Sequence, residues 1–217
     1  ILYVCTSLFI IISNISQLPG VMYQIFYQAF YPDALYGGFM GSLIVGIKRA
    51  VFSNEGGVGS AAIAHSAAKT DEPVREGIVA MIGPFIDTIV ICFMTASVIL
   101  ITADNNPMYQ EYVGNAKTTF AIGAEMTSHA FGSVFYWFPW ILAIVVFLFS
   151  YSTMISWYYY GEKGWRYLSS GTSSLIIYKA VFLGCIILGS VSSLSNVMDF
   201  SDMMILSCAV PNIIGAF

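Results

Sequence analysis

The chain has 217 residues, a net charge of −4 and a mean hydropathy of +0.78, with 58% hydrophobic and only 9% charged residues. Soluble domains carry about 25% charged residues, so this composition, with its long apolar runs, excludes an ordinary soluble domain and indicates a polytopic integral membrane protein. No basic cluster points to nucleic acid, and the four cysteines (Cys5, Cys92, Cys185, Cys208) lie far apart in apolar segments with neither CxxC spacing nor a disulfide framework.

A membrane-spanning helix needs about 20 apolar residues. Ile1–Ser13 reads as the tail of one such span. It lacks the flanks of a signal peptide. Since the sequence starts and stops within apolar runs, a piece of a longer protein is expected. Asn14–Leu35 reads as a connecting loop. Tyr36–Ile47 is apolar but short, and it carries Gly37, Gly38, Gly41 and Gly46. At about 1.5 Å per residue it cannot cross alone, and each interior glycine costs about 1 kcal/mol. Two readings fit it: a discontinuous helix of the kind found at transporter sites, with a second half beyond Ala50–Phe52, or a re-entrant or interfacial helix. Ile78–Thr102 and Val134–Tyr160 are full spans, Leu175–Leu194 is another, and Met203–Phe217 begins a last one. Between them, Met126–Phe131 reads as a small surface helix. It leads into the aromatic cluster Phe135-Tyr136-Trp137-Phe138-Pro139-Trp140, which suits a membrane interface. Trp157, Tyr158, Tyr159, Tyr160 and Trp165 form the opposite belt. The cysteines are expected to pack as small apolar residues.

Seven of the eight basic residues fall in two stretches, Lys48–Arg75 and Gly161–Lys179; the eighth is Lys117. The positive-inside rule makes those stretches cytoplasmic. Tyr36–Ile47 then runs inward, Ile78–Thr102 outward and Val134–Tyr160 inward.

Four features could carry chemistry. Gly57-Val58-Gly59-Ser60-Ala61-Ala62 formally matches a dinucleotide fingerprint, but no strand precedes it and no Lys-Ser/Thr follows. The glycines instead permit irregular backbone or close helix packing. Asp87 is the only acidic residue within a clear span, roughly 14 Å from its cytoplasmic start. It reads as a structural carboxyl, bonded to hydroxyls or paired with Lys48 or Arg49. The alternative is a cation or proton site. Phe149, Ser152, Thr153, Ser156, Trp157 and Tyr160 recur at helical spacing and form one stripe. Its hydroxyls either ligate a hard cation such as Na⁺ or bond back to their own helix. Its indole offers a flat wall to a small apolar side chain. Counted from Trp140, Thr153 lies roughly 20 Å along the axis, somewhat past the membrane midplane. His65 and His129 show no metal-ligand spacing, and no nucleophile–base or metal constellation supports an enzyme.

Three blocks resemble the alanine-or-glycine:cation symporter family. They are Gly46-Ile47-Lys48-Arg49-Ala50-Val51-Phe52-Ser53-Asn54-Glu55 running into Gly59-Ser60-Ala61, then Gly83-Pro84-Phe85-Ile86-Asp87-Thr88, and Tyr151-Ser152-Thr153 leading to Trp157-Tyr158-Tyr159-Tyr160-Gly161-Glu162-Lys163. The likeness covers essentially the whole chain, and the block around Phe52–Glu55 is the most specific. One departure is Gly56, where the family usually has alanine.

The resemblance implies an all-α membrane fold of the leucine-transporter class, built from two inverted five-helix repeats. Residues 1–13 would end the first repeat and residues 36–217 would form the second within a single transmembrane domain. It implies symport of alanine or glycine with a cation, Na⁺ or H⁺, across a bacterial or archaeal inner membrane, without a cofactor. It places Phe149, Ser152 and Thr153 at a cation site. It places Thr153 and Trp157 at the substrate, with Gly41 and Ile44 where the broken helix unwinds, around Gly41–Gly46. A channel, or a carrier of the same fold with another substrate, is the rival reading. The sidedness is testable by cysteine labelling in a full-length protein stripped of native cysteines. Asn115→Cys should be reached from outside and Gly164→Cys should not; the reverse pattern refutes this topology.

Overall fold

The computed structural model describes residues 1–30, 38–107, 109–110, 122–169 and 171–216. Tyr36 and Gly37 of the expected short segment, Lys117, Asn115 and Phe217 lie outside them. Every regular element among the described residues is helical: α1 (Leu2–Ser13), α2 (Leu18–Phe30), α3 (Gly38–Asn54), α4 (Ser60–His65), α5 (Pro73–Pro84), a π-helical segment (Phe85–Ile91), α6 (Cys92–Ile101), a 3₁₀ turn (Ala103–Asn105), α7 (Ile122–Gly132), α8 (Phe138–Leu168), α9 (Thr172–Val191) and α10 (Leu194–Ala216). Helices are the expected outcome for a chain in hydrocarbon, where each backbone N–H and C=O must be satisfied within its own segment.

Four stretches are long and apolar enough to cross a membrane: Pro73–Ile101, Phe138–Leu168, Ser174–Val191 and Leu194–Gly215. They overlap the four later spans expected from sequence, but the second runs on to Leu168 past the expected Tyr160, and the last starts at Leu194 instead of Met203, so that it takes in Asp199 and Asp202. α1 and α2 form a further apolar pair bent by 105°. The expected loop Asn14–Leu35 therefore contains a helix. Leu18, Val21, Met22, Ile25, Phe26, Ala29 and Phe30 recur at helical spacing, and Pro19 is preset for a first turn. At the bend, the Asn14 side chain and the Asn14 backbone N–H both donate to the Ile10 carbonyl, at 2.9 Å and 3.2 Å, closing the end of α1.

The chain divides into two compact units. The first comprises Ile1–Asn54 and Val79–Leu142. Here α6 packs against α1, α2 and α7, around Ile10, Ile11, Met94, Val98, Ala130, Phe131 and Phe138. Phe131 and Phe138 stack at 4.4 Å and are buried, with Tyr3 tilted against both. This changes two expectations. The helix around Met126–Phe131 is not a surface helix, because Ala130 and Phe131 close this core. The aromatic cluster also splits: Phe138 joins the core while Tyr136 and Trp140 face outward. Three buried residues here bond their hydroxyls back along their own helices, Thr6 to Leu2 and Tyr3, Ser7 to Tyr3, Thr102 to Val98, while the buried Ser97 hydroxyl makes no hydrogen bond among the described residues.

The second unit comprises Glu55–Ile78 and Ala143–Phe217. At one end of the α8–α9 hairpin the Tyr178 hydroxyl donates to the Tyr158 carbonyl at 2.9 Å, and the Trp165 indole donates to the Ser174 hydroxyl at 2.5 Å. Gly161 is required there, since a Cβ would collide with the Tyr178 phenol. Tyr151, Met154, Ile155, Tyr158, Phe182, Leu183 and Ile186 line a groove of about 330 Å³ with Lys179 among them. All four cysteines are free and exposed.

Candidate functional site

The expected interruption at Gly41–Gly46 is absent: α3 is one helix from Gly38 to Asn54. The glycine penalties of Gly38, Gly41 and Gly46, at most about 1 kcal/mol each, do not outweigh intrahelical hydrogen bonds, which have no substitute in an apolar environment. Gly41 is partly buried and Ile44 is exposed, one turn apart on this unbroken helix. The interruption lies further on. Glu55, Gly57 and Gly59 adopt left-handed backbone angles, φ 53°, 77° and 94°, before α4 resumes at Ser60. Three such residues within five positions stop a helix, and glycine supplies two of them without steric cost. The glycine run therefore serves an irregular backbone, and the element before it is a helix rather than the strand a nucleotide fold needs.

Within the second unit this loop is held by α10. Asn212 Nδ2 donates to the Gly57 carbonyl at 2.9 Å. Its Oδ1 would lie 2.8 Å from a Cβ placed on Gly59. Sequence reading missed Asn212. Its signal was an amide directly after Pro211, flanked by the apolar residues Ala209, Val210, Ile213 and Ile214, a placement that usually has a reason.

Within the first unit the end of α3 is fastened to the π-helical segment. Ser53 Oγ donates to Asp87 Oδ2 at 2.5 Å, and Asn54 Nδ2 donates to Thr88 Oγ1 at 2.9 Å. The π turn follows Pro84, which has no N–H to give, and Cys92 N–H reaches back five residues to the Asp87 carbonyl. Asp87 thus has a hydrogen-bonded partner, and it is the hydroxyl of Ser53. Two blocks that carried the family resemblance meet here.

The stripe on α8 lies in the second unit. Thr153 Oγ1 donates to the Phe149 carbonyl at 2.9 Å and Ser156 Oγ to the Ser152 carbonyl at 3.1 Å. Both hydroxyls bond back to their own helix. That does not exhaust them, because a hydroxyl donating its proton keeps two lone pairs for another ligand. Phe149, Ser152 and Thr153 are exposed, and Trp157 is partly buried with its ring edge-on to Tyr160 at 5.8 Å. The predicted cation residues Phe149, Ser152 and Thr153 and the substrate residues Thr153 and Trp157 thus share one helix face, while Gly41 and Ile44 belong to the other unit.

Apolar spans, a helix interrupted by left-handed residues and a hydroxyl stripe define a multi-pass α-helical membrane protein with polar groups gathered at a few places. Comparison gives the family. A model of the sodium:alanine symporter family matches residues 1–217, and the chain belongs to that family. It is similar to a sodium/alanine symporter of Methanococcus maripaludis, 37% identical over 216 residues, covering 99% of this chain and 46% of that protein. It is also similar to an uncharacterized transporter of Haemophilus influenzae, 37% identical, covering 99% of this chain and 46% of that protein. A probable sodium/glutamine symporter of Bacillus subtilis is 36% identical, covering 100% of this chain and 44% of that protein. The chain spans less than half the length of these relatives.

The glycine loop yields a graded prediction for thermal stability of the full-length protein. Gly56→Ala meets no atom within 4 Å and should be neutral. Gly57→Ala, strained only by its φ, should cost about 1–2 kcal/mol. Gly59→Ala adds the Asn212 collision to that strain and should lower the melting temperature most. Equal melting temperatures for all three variants would refute this account of the loop.

Proposed function

We propose that this chain forms the second inverted repeat, with the end of the first, of a secondary symporter of the leucine-transporter class. It takes up a small neutral amino acid, alanine or glycine, with Na⁺, across the cell membrane. The observation that carries this reading is the family match along residues 1–217. Relatives named for sodium/alanine symport support both the cation and the substrate class. Ser152 and Thr153, with the Phe149 carbonyl, are the cation ligands in this reading. Thr153 and Trp157 contact the substrate, as do Gly41 and Ile44. Because α3 runs unbroken through Gly41 and Ile44, Ile44 contributes its side chain and Gly41 a close approach to the helix surface, and the freed backbone groups belong to residues 55–59.

A second reading follows from the relative named for glutamine: a carrier of the same fold with a larger polar substrate. The Trp157 indole separates the two. A flat apolar wall discriminates by about 1–3 kcal/mol per methylene, so a small-substrate carrier should show a graded preference.

The test uses the full-length transporter in proteoliposomes. Alanine or glycine should accumulate against its gradient, saturably, when Na⁺ is high outside, and collapse of the Na⁺ gradient should stop it. Non-saturable, strictly downhill flux would mark a channel, and dependence on a pH gradient alone would make the cation H⁺. Thr153→Val removes one oxygen at nearly constant shape and should raise the Na⁺ concentration for half-activation about tenfold. Trp157→Ala should admit larger side chains. If both variants keep the wild-type Na⁺ curve and substrate profile, the stripe is ordinary packing.

A further inference from the structure

We propose that the groove between α8 and α9 is a binding site for one anionic phospholipid, with an acyl chain along the groove and the phosphodiester at Lys179. The first observation is the lining. Tyr151, Met154, Ile155 and Tyr158 recur at i, i+3, i+4 and i+7 on α8, and α9 answers with the same spacing from Lys179 to Ile186. The two stripes run about 10 Å side by side and enclose about 330 Å³. Every lining side chain except Lys179 is aliphatic or aromatic, which suits a hydrocarbon chain. Among the described residues, every hydrogen bond and ring contact between α8 and α9 joins residues 158–165 to residues 174–182. The hairpin is pinned at that end, and the groove runs from it towards Tyr151 and Ile186. Tyr151, Ile155, Leu183 and Ile186 are exposed along its length.

The second observation is the direction the groove faces. At about 100° per residue, its four α8 residues centre roughly 180° around the helix from the stripe of Phe149, Ser152, Thr153, Ser156, Trp157 and Tyr160. A helix that turns its hydroxyls and indole to a transport pathway turns the opposite face to lipid. This observation rests on the role proposed for the stripe; the binding test below does not.

The third observation is charge. Lys179 lies at the pinned end, in one of the two stretches that hold seven of the eight basic residues. The positive-inside rule puts that end in the cytoplasm. The cytoplasmic leaflet carries anionic lipid, and basic pockets between spans on this side take anionic headgroups. At the same end Glu162 pairs with Arg166 at 2.7 Å. Glu162, Arg166 and Lys179 together carry one net positive charge, the complement of one phosphodiester. A lysine stem packs along apolar surface while its ammonium reaches headgroup level. An apolar groove closed at one end by a single cation thus matches the two parts of a phospholipid.

Native mass spectrometry of the delipidated full-length protein tests the site, with phosphatidylglycerol as the probe and phosphatidylcholine of the same chains as the control. Wild type should retain one phosphatidylglycerol in preference to phosphatidylcholine, and inorganic phosphate should not displace it. Lys179→Gln should weaken that lipid about fivefold through one charge lost near the membrane surface, and Lys179→Arg should keep it. Leu183→Trp, which fills the groove from an exposed position, should also weaken it. Equal retention of the two lipids by wild type overturns the site. So does retention of neither, which would mean that a second copy or another segment of the longer chain covers the groove. Displacement by phosphate overturns it too, as a free-anion site. An unchanged affinity in either Lys179→Gln or Leu183→Trp does the same, since headgroup and chain must both be held here. Absence of Na⁺-driven uptake would sink the symporter reading, and the lipid count would still decide this site.

Discussion

In hydrocarbon a peptide group without a hydrogen-bond partner costs several kcal/mol, because no water replaces it. That constraint explains why every regular described element here is a helix. It also makes the two departures from regular α-helix informative. Residues 55–59 break the helical pattern with three left-handed residues, and residues 85–91 widen it into a π turn. Each departure is backed by a side chain from elsewhere in its own unit: Asn212 on the Gly57 carbonyl, and Ser53 and Asn54 on Asp87 and Thr88. Irregular backbone persists where a polar side chain has been spent to hold it.

The same constraint governs the hydroxyls. Thr6 and Ser7 in α1, Thr95 in α6, Thr102 just after it, and Thr153 and Ser156 in α8 return their protons to a carbonyl three or four residues back, while Ser97 of α6 is buried without a hydrogen-bond partner among the described residues. In α1 and α6 this lets polar residues sit inside a dry core. On the exposed face of α8 the identical bond has another effect. It fixes the hydroxyl proton inward and leaves the oxygen lone pairs outward, which prearranges Thr153 as an acceptor. Burial, rather than residue type, separates the structural hydroxyls from the candidate ligands.

The sequence made the membrane class, the four later spans and the family legible, because run length, charge scarcity and the Phe52–Glu55 block are local signals. The stripe on α8 was legible for the same reason, since helical spacing alone puts Ser152, Thr153 and Trp157 on one face. What escaped were features decided by contacts across long sequence distances. The unwound stretch was expected at Gly41–Gly46 from glycine content, yet it falls at Glu55–Gly59, where glycine coincides with left-handed angles and an anchoring amide 155 residues away. α2 was hidden because Asn14–Leu35 contains Pro19 and Gly20, which read as loop punctuation although the apolar spacing around them is helical. The partner of Asp87 was foreseen in kind, as a hydroxyl, but no local pattern singles out Ser53.

The length of α8 has a consequence for the surroundings of the protein. Its 31 residues extend roughly 46 Å at about 1.5 Å per residue, against a bilayer hydrocarbon core of about 30 Å. Part of the excess is a polar end, where Glu162 and Arg166 pair at 2.7 Å; the rest is accommodated in the headgroup layers, by tilt or by local thickening of the bilayer. Tilt sets how deep Ser152 and Thr153 sit, so lipid chain length becomes a setting of the candidate cation ligands. Membrane thickness, which touches none of these residues, thereby acts on the depth at which an ion would have to shed its water.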